Sequence, residues 1–457
     1  MSSDRDLLGT QSIGRLLFRL SLPSAIGMIV MSSYNIVDAI FIGRGVGPMG
    51  LAAIMVCFPL QMLSGALSVM AGAGGASIIS RSLGAGDVDR AKRAFCAAST
   101  FAFGVGLIVA VTVYVFLEQV LRLFGATEAI MPYAEAYLSV ILFGVPLQMF
   151  GMVGNHAARA EGRARIAMTS MLISAVLNMI LDPLFIFGFG WGMMGAAVAT
   201  VLSQLVMFIW IFSYFFRGKS VLSFVRAYLV PTPEVLKEAI AVGSSEFVRM
   251  SAGSLSIVLI NAALVRWGGD MHVAVYGVIN RALSFFFMPL MGLAQGFQPI
   301  LGYNYGAGNL ERAKQSIRLA VTASTVMATA GYIIAQVWPR EIFLLFSSDQ
   351  ELVSEGIKAM RLISTTYFFV GFQITGSAMF QALGRARPAF ILSLSRQVLL
   401  LIPMVIVLPA FFGTRGVWVS FPLADTFAFS LTLFLFVRQL RRMTPSRGTE
   451  TPPETTP

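Results

Sequence analysis

Charge is scarce in this chain. Only 12% of its 457 residues are Asp, Glu, Lys or Arg, about half the ~25% carried by a typical soluble domain. So few charges cannot cover a water-exposed surface, which excludes a soluble enzyme, a disordered chain and a nucleic-acid-binding module. Cysteine is equally rare. Cys57 and Cys96 stand alone in apolar surroundings, so there is neither a disulfide framework nor a thiolate metal site. With only His156 and His272, a histidine-based zinc site is also excluded. What is abundant is apolar: 56% of residues are hydrophobic, and the mean hydropathy is +0.77. The class that remains is an all-α polytopic membrane protein.

A helix needs about 20 apolar residues to cross roughly 30 Å of hydrocarbon. Twelve runs meet that length: 16–41, 50–80, 94–117, 131–155, 166–189, 193–215, 237–265, 272–302, 316–338, 357–381, 389–411 and 416–438. The polar start Met1–Gln11 and the length of the first run do not resemble a cleavable signal peptide. With both termini placed in the cytoplasm, 24 of the 33 Lys and Arg residues fall on that side, Arg396 counted among them. Seven fall outside, and Arg249 and Arg281 lie within spans. The net charge of +11 therefore records topology by the positive-inside rule and does not indicate a polyanion partner.

A direct repeat of 222 residues organises the chain. Gly84-Ala85-Gly86-Asp87-Val88-Asp89-Arg90-Ala91-Lys92 returns as Gly306-Ala307-Gly308-Asn309-Leu310-Glu311-Arg312-Ala313-Lys314. Gly162-Arg163-Ala164-Arg165 returns as Gly384-Arg385-Ala386-Arg387, and Leu123-Phe124 as Leu345-Phe346. Six spans per half bring the chain back to the same side, so the halves are two six-helix lobes in parallel orientation. The expected lobes are 1–225 and 226–443, followed by a Pro/Thr-rich disordered tail at 444–457. Such pseudosymmetry suits alternating access about a central site. The repeated Gly-Ala-Gly segment reads as a tight turn opening an amphipathic helix, since it lacks the lysine spacing of a phosphate-binding loop. The small residues Ala71–Ala76 read as a place of close helix packing.

Four acids lie well inside spans: Asp38, Asp182, Glu246 and Asp425. An acid at the bilayer centre costs at least ~2.5 kcal/mol and normally faces a cavity or a partner. Counting ~1.5 Å per residue from each span's start brings Asp38, Asp182 and Thr200 to comparable depth. Asn178 and Asp182 are one turn apart on a shared face, and Pro183 loosens the carbonyl of Met179. Carboxylates, amide, hydroxyl and carbonyl together form an all-oxygen set suited to Na+, and the same carboxylates can carry a proton. Glu246 and Arg249 are spaced for an ion pair. Asp425 has Arg281 or Arg396 as partner, or faces the cavity.

These residues resemble a known family. Leu22-Pro23 and Tyr34-Asn35-Ile36-Val37-Asp38-Ala39-Ile40-Phe41-Ile42-Gly43 resemble the first-helix signature of the multidrug and toxic compound extrusion (MATE) family. Leu177-Asn178-Met179-Ile180-Leu181-Asp182-Pro183, followed by Gly195-Ala196-Ala197-Val198-Ala199-Thr200, is similar to its fifth and sixth helices. Gln298-Pro299-Ile300-Leu301-Gly302-Tyr303-Asn304-Tyr305-Gly306 is similar to the end of its eighth. The resemblance runs from about residue 15 to 440. It implies a V-shaped pair of lobes exchanging amphipathic, often cationic drugs for Na+ or H+. By motif match, the N-lobe cation site of one prokaryotic branch falls on Asp38, Asn178, Asp182 and Thr200. Tyr34, Asn35, Glu246, Arg249, Arg281 and Asp425 are candidate accessory residues. Another branch uses acids on helices seven and ten. Here span ten has no internal acid, and Glu246 sits about two turns before the helix-seven position, which favours N-lobe coupling.

The expectation is a secondary exporter in a prokaryotic cytoplasmic membrane, working as a monomer on small amphipathic molecules, without catalytic residues or a cofactor beyond the coupling ion. A lipid or lipid-linked-sugar flippase of the same superfamily would favour a wide basic cavity. An intramembrane aspartyl enzyme would have to pair Asp38 with Asp182. A channel is not suggested by a two-lobe repeat.

Overall fold

The computed structural model describes residues 7–218 and 220–443, and the expected tail at 444–457 lies outside them. Among the described residues, ten elements are long and apolar enough to span; dividing the longest at its turn and counting one broken helix gives a helix at each of the twelve apolar runs, and there is no strand. In the first half they are α1 (Ile13–Gly45), α2 (Pro48–Gly84), α3 (Val88–Val115), α4 (Met131–Ala160), α5 (Ala164–Gly188) and α6 (Gly192–Phe216). The element Pro233–Gly306 turns at Gly269, whose φ of 72° and ψ of −176° suit a residue without a side chain. Residues 233–268 are α7 and residues 270–306 are α8. Then follow α9 (Leu310–Val337), α10, α11 (Ala386–Phe412) and α12 (Thr414–Arg442). Helix α10 is broken into Gln350–Ser364 and Phe368–Ala382. Most helices outrun the hydrocarbon: at 33 residues, α1 is about 50 Å long.

The repeat holds at atomic level. Asp87 caps α3 by accepting from the backbone N–H of Arg90 at 2.9 Å, and Asn309 caps α9 by accepting from Arg312 at 3.2 Å. Gly86 and Gly308 precede them at φ 78° and 72°. The Gly-Ala-Gly segment is thus a capped helix turn, not a ligand cradle. The short helices Leu117–Leu123 and Pro339–Leu344 also correspond.

The lobes meet on the face that carries both ends of the described chain. There α2 crosses α7 and α8 backbone to backbone. A Cβ on Gly74 would lie 1.9 Å from the Ala239 carbonyl oxygen, and one on Gly243 would lie 1.9 Å from that of Met70. Gly84 and Gly306 oppose the carbonyls of Tyr303 and Arg81 in the same way, at 1.9 and 2.0 Å. The small-residue run of α2 is accordingly a packing seam, with Gly72 against the ring of His156 and Gly75 against Ala98. Hydrogen bonds that join the lobes lie on this side too. Glu238 accepts from Arg81 at 2.9 Å and from Arg90 at 2.7 Å, Ser77 donates to the Gln381 carbonyl, and Asn304 donates to the Leu8 carbonyl at 3.1 Å. Toward the opposite face, Ile36, Met55, Val258 and Phe285 are exposed.

The segment joining the lobes is stitched to the first one. Glu161 accepts from Tyr214, from Ser220, and from the backbone N–H groups of Val221 and Leu222. Burial pushes its carboxyl above the usual range, against the pull of these four hydrogen bonds. Further on, Tyr228 donates to Asp89, and the Arg93 guanidinium lies 4.8 Å from its ring centre.

Candidate cation site in the N-lobe

Helix α1 lies along α5. Gly27 packs against Met171, and Gly45 against Ile186 and Phe187. This parallel run carries Asp38 to Asp182. Just beyond Asp182, Pro183 lacks the N–H that a regular turn requires, and the winding relaxes to a π turn over Leu184–Gly188. Phe185 and Trp191 stack behind it with ring centres 5.4 Å apart. Helix α6 returns beside it and presents Thr200.

Three of the four expected residues form one hydrogen-bonded set. Asn178 donates through Nδ2 to Asp182 Oδ1 at 3.1 Å and to Thr200 Oγ1 at 3.4 Å. Thr200 donates in turn to the Ala196 carbonyl at 3.0 Å. Asn178 and Asp182 are buried, at 2% and 0% exposure. Asp38 is close enough to Asp182 for the two carboxyls to interact electrostatically. Asp38 Oδ1, Asn178 Oδ1 and Asp182 Oδ2 are all buried and without a hydrogen-bond partner. Each is an acceptor, and buried acceptors left unsatisfied are costly. A cation would satisfy all three, and a proton shared by the two carboxyls would satisfy theirs. The donor set therefore fits a hard monovalent ion by its chemistry.

Among the accessory candidates, Tyr34 is close enough to interact electrostatically with Asp38 and Asp182. Asn35 is exposed and donates to its own helix at the Met31 carbonyl, 2.8 Å away. The other candidates lie in the second lobe, apart from this cluster. Glu246 accepts from Arg249 at 3.0 Å and from Gln381 at 2.7 Å, both partners within its own lobe. Arg281 is exposed on α8. Asp425 pairs with Arg396. That pairing corrects the topological count. Arg396 is not a loop residue but sits in the π-wound stretch Ser395–Leu401 of α11. Its nearness to Arg385 and Arg387 in sequence disguised it.

Two site residues went unnoticed in the sequence. Tyr137 on α4 is buried and near Asp38, and Gln61 on α2 donates to its hydroxyl at 3.2 Å. Each is a polar side chain deep in an apolar run, the same signal that singled out the acids.

Comparison with known proteins places this geometry. The MatE family model matches residues 23–184 and again 247–407, one copy in each half. The multidrug export protein MepA of Staphylococcus saprophyticus is 30% identical over 436 residues, covering 94% of each chain. MepA of Staphylococcus haemolyticus is 29% identical and covers 95% of each. A solved structure described as the outward-facing conformation of a multidrug resistance MATE family transporter of the MOP superfamily superposes with a TM-score of 0.89. It is 27% identical, with 97% of this chain and 99% of that one covered. Two copies of one family model, a full-length match and a shared two-lobe fold converge: this chain is a multi-pass membrane protein of the MATE transporter family, not an enzyme.

Proposed function

We propose that the protein exports amphipathic small molecules from a prokaryotic cytoplasm in exchange for Na+ or H+, by alternating access of its two lobes. The full-length similarity to proteins named multidrug export supports the export half of this reading. The observation that carries the coupling half is the trio of buried, unpartnered oxygens on Asp38, Asn178 and Asp182. Both termini lie in the cytoplasm in this reading. The glycine seam then closes the inner side, and the lobes stand open outward. Each lobe holds six helices, the first ending at the joining segment and the second beginning with α7, and one copy of the chain suffices. No other cofactor takes part.

In such a cycle, ion or proton entry at Asp38 and Asp182 removes their mutual repulsion and changes how α1 packs on α5. Since α1 also meets α8 through Ser21 and Leu293, the change reaches the lobe interface. The test is dye export in everted vesicles under a Na+ gradient and a pH gradient applied separately. Asp38→Asn, inserted and folded, is expected to abolish gradient-driven export. Retained coupled transport by that variant in proteoliposomes refutes the assignment.

A further inference from the structure

We propose that a cavity in the second lobe binds amphipathic molecules bearing a carboxylate, zwitterions included, in preference to counterparts that lack it. The inference rests on the export reading and adds a substrate class to it.

The cavity encloses about 420 Å³, drug-sized by the ~300–1,000 Å³ range of ligand pockets. Its walls are mostly apolar, with Met250, Ile260, Phe287 and Phe421 among them. Met62 of α2 borders it from the other lobe, so it opens into the space between the lobes. Two arginines line it, Arg249 from α7 and Arg396 from α11.

Each arginine has its own acid, and in both pairs the acid is turned inward. The Arg249 side chain is 30% exposed and that of Glu246 10%. The Arg396 side chain is 30% exposed and that of Asp425 4%. Asp425 is further covered by Thr366, which donates to its second oxygen. Of the two acids only Asp425 reaches the cavity wall, and at 4% exposure against 30% for Arg396 it leaves a ligand facing mainly guanidinium. Arg396 engages Asp425 through Nε. Among the described residues, no hydrogen bond falls on its Nη1 and Nη2, the parallel pair that grips a carboxylate bidentately.

The surrounding polar groups point the same way. Ser377 and Ser393 line the cavity, and their hydroxyl oxygens are buried without a hydrogen-bond partner. Ser393 is only 5% exposed. Hydroxyls with no acceptor nearby are donors in waiting, and Asn280 and Gln397 add amide donors. Neither arginine leaves a net charge, because each is neutralised where it stands. The pocket thus offers a donor-rich anchor without a strong positive field, which suits a single carboxylate on an aromatic or aliphatic body better than a polyanion.

The test uses a matched pair of probes, dansyl-phenylalanine and its methyl ester, which differ in the carboxylate. Their binding to the purified protein is followed by dansyl fluorescence. The wild type is expected to bind the acid at least tenfold more tightly than the ester. Arg396→Gln alone strands Asp425 and can fail to fold. The decisive variant is therefore the double change Arg396→Gln with Asp425→Asn, which removes both charges. It is expected to lose the tenfold preference while ester binding stays within twofold. Arg396→Lys keeps the charge without the planar fork and is expected to retain only part of the preference. Equal binding of the two probes by the wild type, or an undiminished preference in the double variant, overturns the proposal. Asp38→Asn separates the two readings. It should keep the acid preference while losing gradient-driven export. If the wild type shows the preference but no ion-driven export, the export reading falls and the cavity assignment stands.

Discussion

Gly84→Ala tests whether the glycine seam holds the lobes together on the terminal face. The new Cβ would sit 1.9 Å from the Tyr303 carbonyl oxygen and 2.8 Å from its carbon. Real Cβ contacts do not fall below 3.0 Å, so the helices must part by about 1.1 Å, the difference between 3.0 and 1.9. The obstacle is backbone on both sides, because Gly306 meets the Arg81 carbonyl in the reciprocal contact. No rotamer change relieves it. Overpacking of this kind costs about 1–3 kcal/mol. Only the closed seam bears that cost, so the ratio of closed to open molecules should fall by about 5- to 150-fold. Spin labels at the exposed positions Glu128 and Glu351, one in each lobe on the opposite face, report the change by pulsed dipolar spectroscopy. The distance between them is expected to shorten as the terminal face opens. The buried Cys57 and Cys96 leave the labelling chemistry undisturbed. Gly104→Ala is the control, since nothing lies within 4 Å of its added carbon. A Gly84→Ala distance distribution that matches the wild type refutes the seam as the closing element.

Asp182→Asn removes one of two facing carboxylates and one charge-assisted acceptor for Asn178, an interaction worth about 1.5–3 kcal/mol. Cation binding measured by calorimetry or by proton release is expected to weaken at least tenfold; an unchanged ion stoichiometry contradicts it. Tyr137→Phe deletes the hydroxyl that Gln61 reaches, at about 1 kcal/mol, and is expected to lower ion affinity several-fold without affecting insertion. Glu161→Ala strips four donors of their acceptor and should lower the thermal midpoint by several degrees, whereas Glu161→Gln, which keeps an acceptor oxygen, should lower it less.

The twelve spans were legible because a bilayer imposes a length on apolar runs that no tertiary contact overrides. The repeat was legible because a capped turn needs particular residues: glycine at positive φ, then Asp87 or Asn309 to accept a backbone N–H. The break in α10 and the π winding of α11 left no comparable mark. Both depend on what other helices offer, such as the Leu283 carbonyl for the Tyr367 hydroxyl and Asp425 for Arg396. The N-lobe cluster was legible since depth and helical period place Asp38, Asn178, Asp182 and Thr200 together before any packing is known. Gln381 was not, because it becomes a hub only when Glu246, Ser245 and Gln298 arrive from the other end of its lobe.

The stitched joining segment has a consequence for how the gene can be cut. Residues 220–228 are a lid on the first lobe rather than slack between two, covering Phe95 with Leu222 and Phe224. A polypeptide ended at Phe216 would leave that patch bare and Glu161 without three of its four donors. One ended just ahead of Pro231-Thr232-Pro233 would carry its own cover. Two separately encoded halves divided there would keep the first lobe covered, and reassembly would depend on the helix seam and the hydrogen bonds beside it, such as those of Glu238 with Arg81 and Arg90.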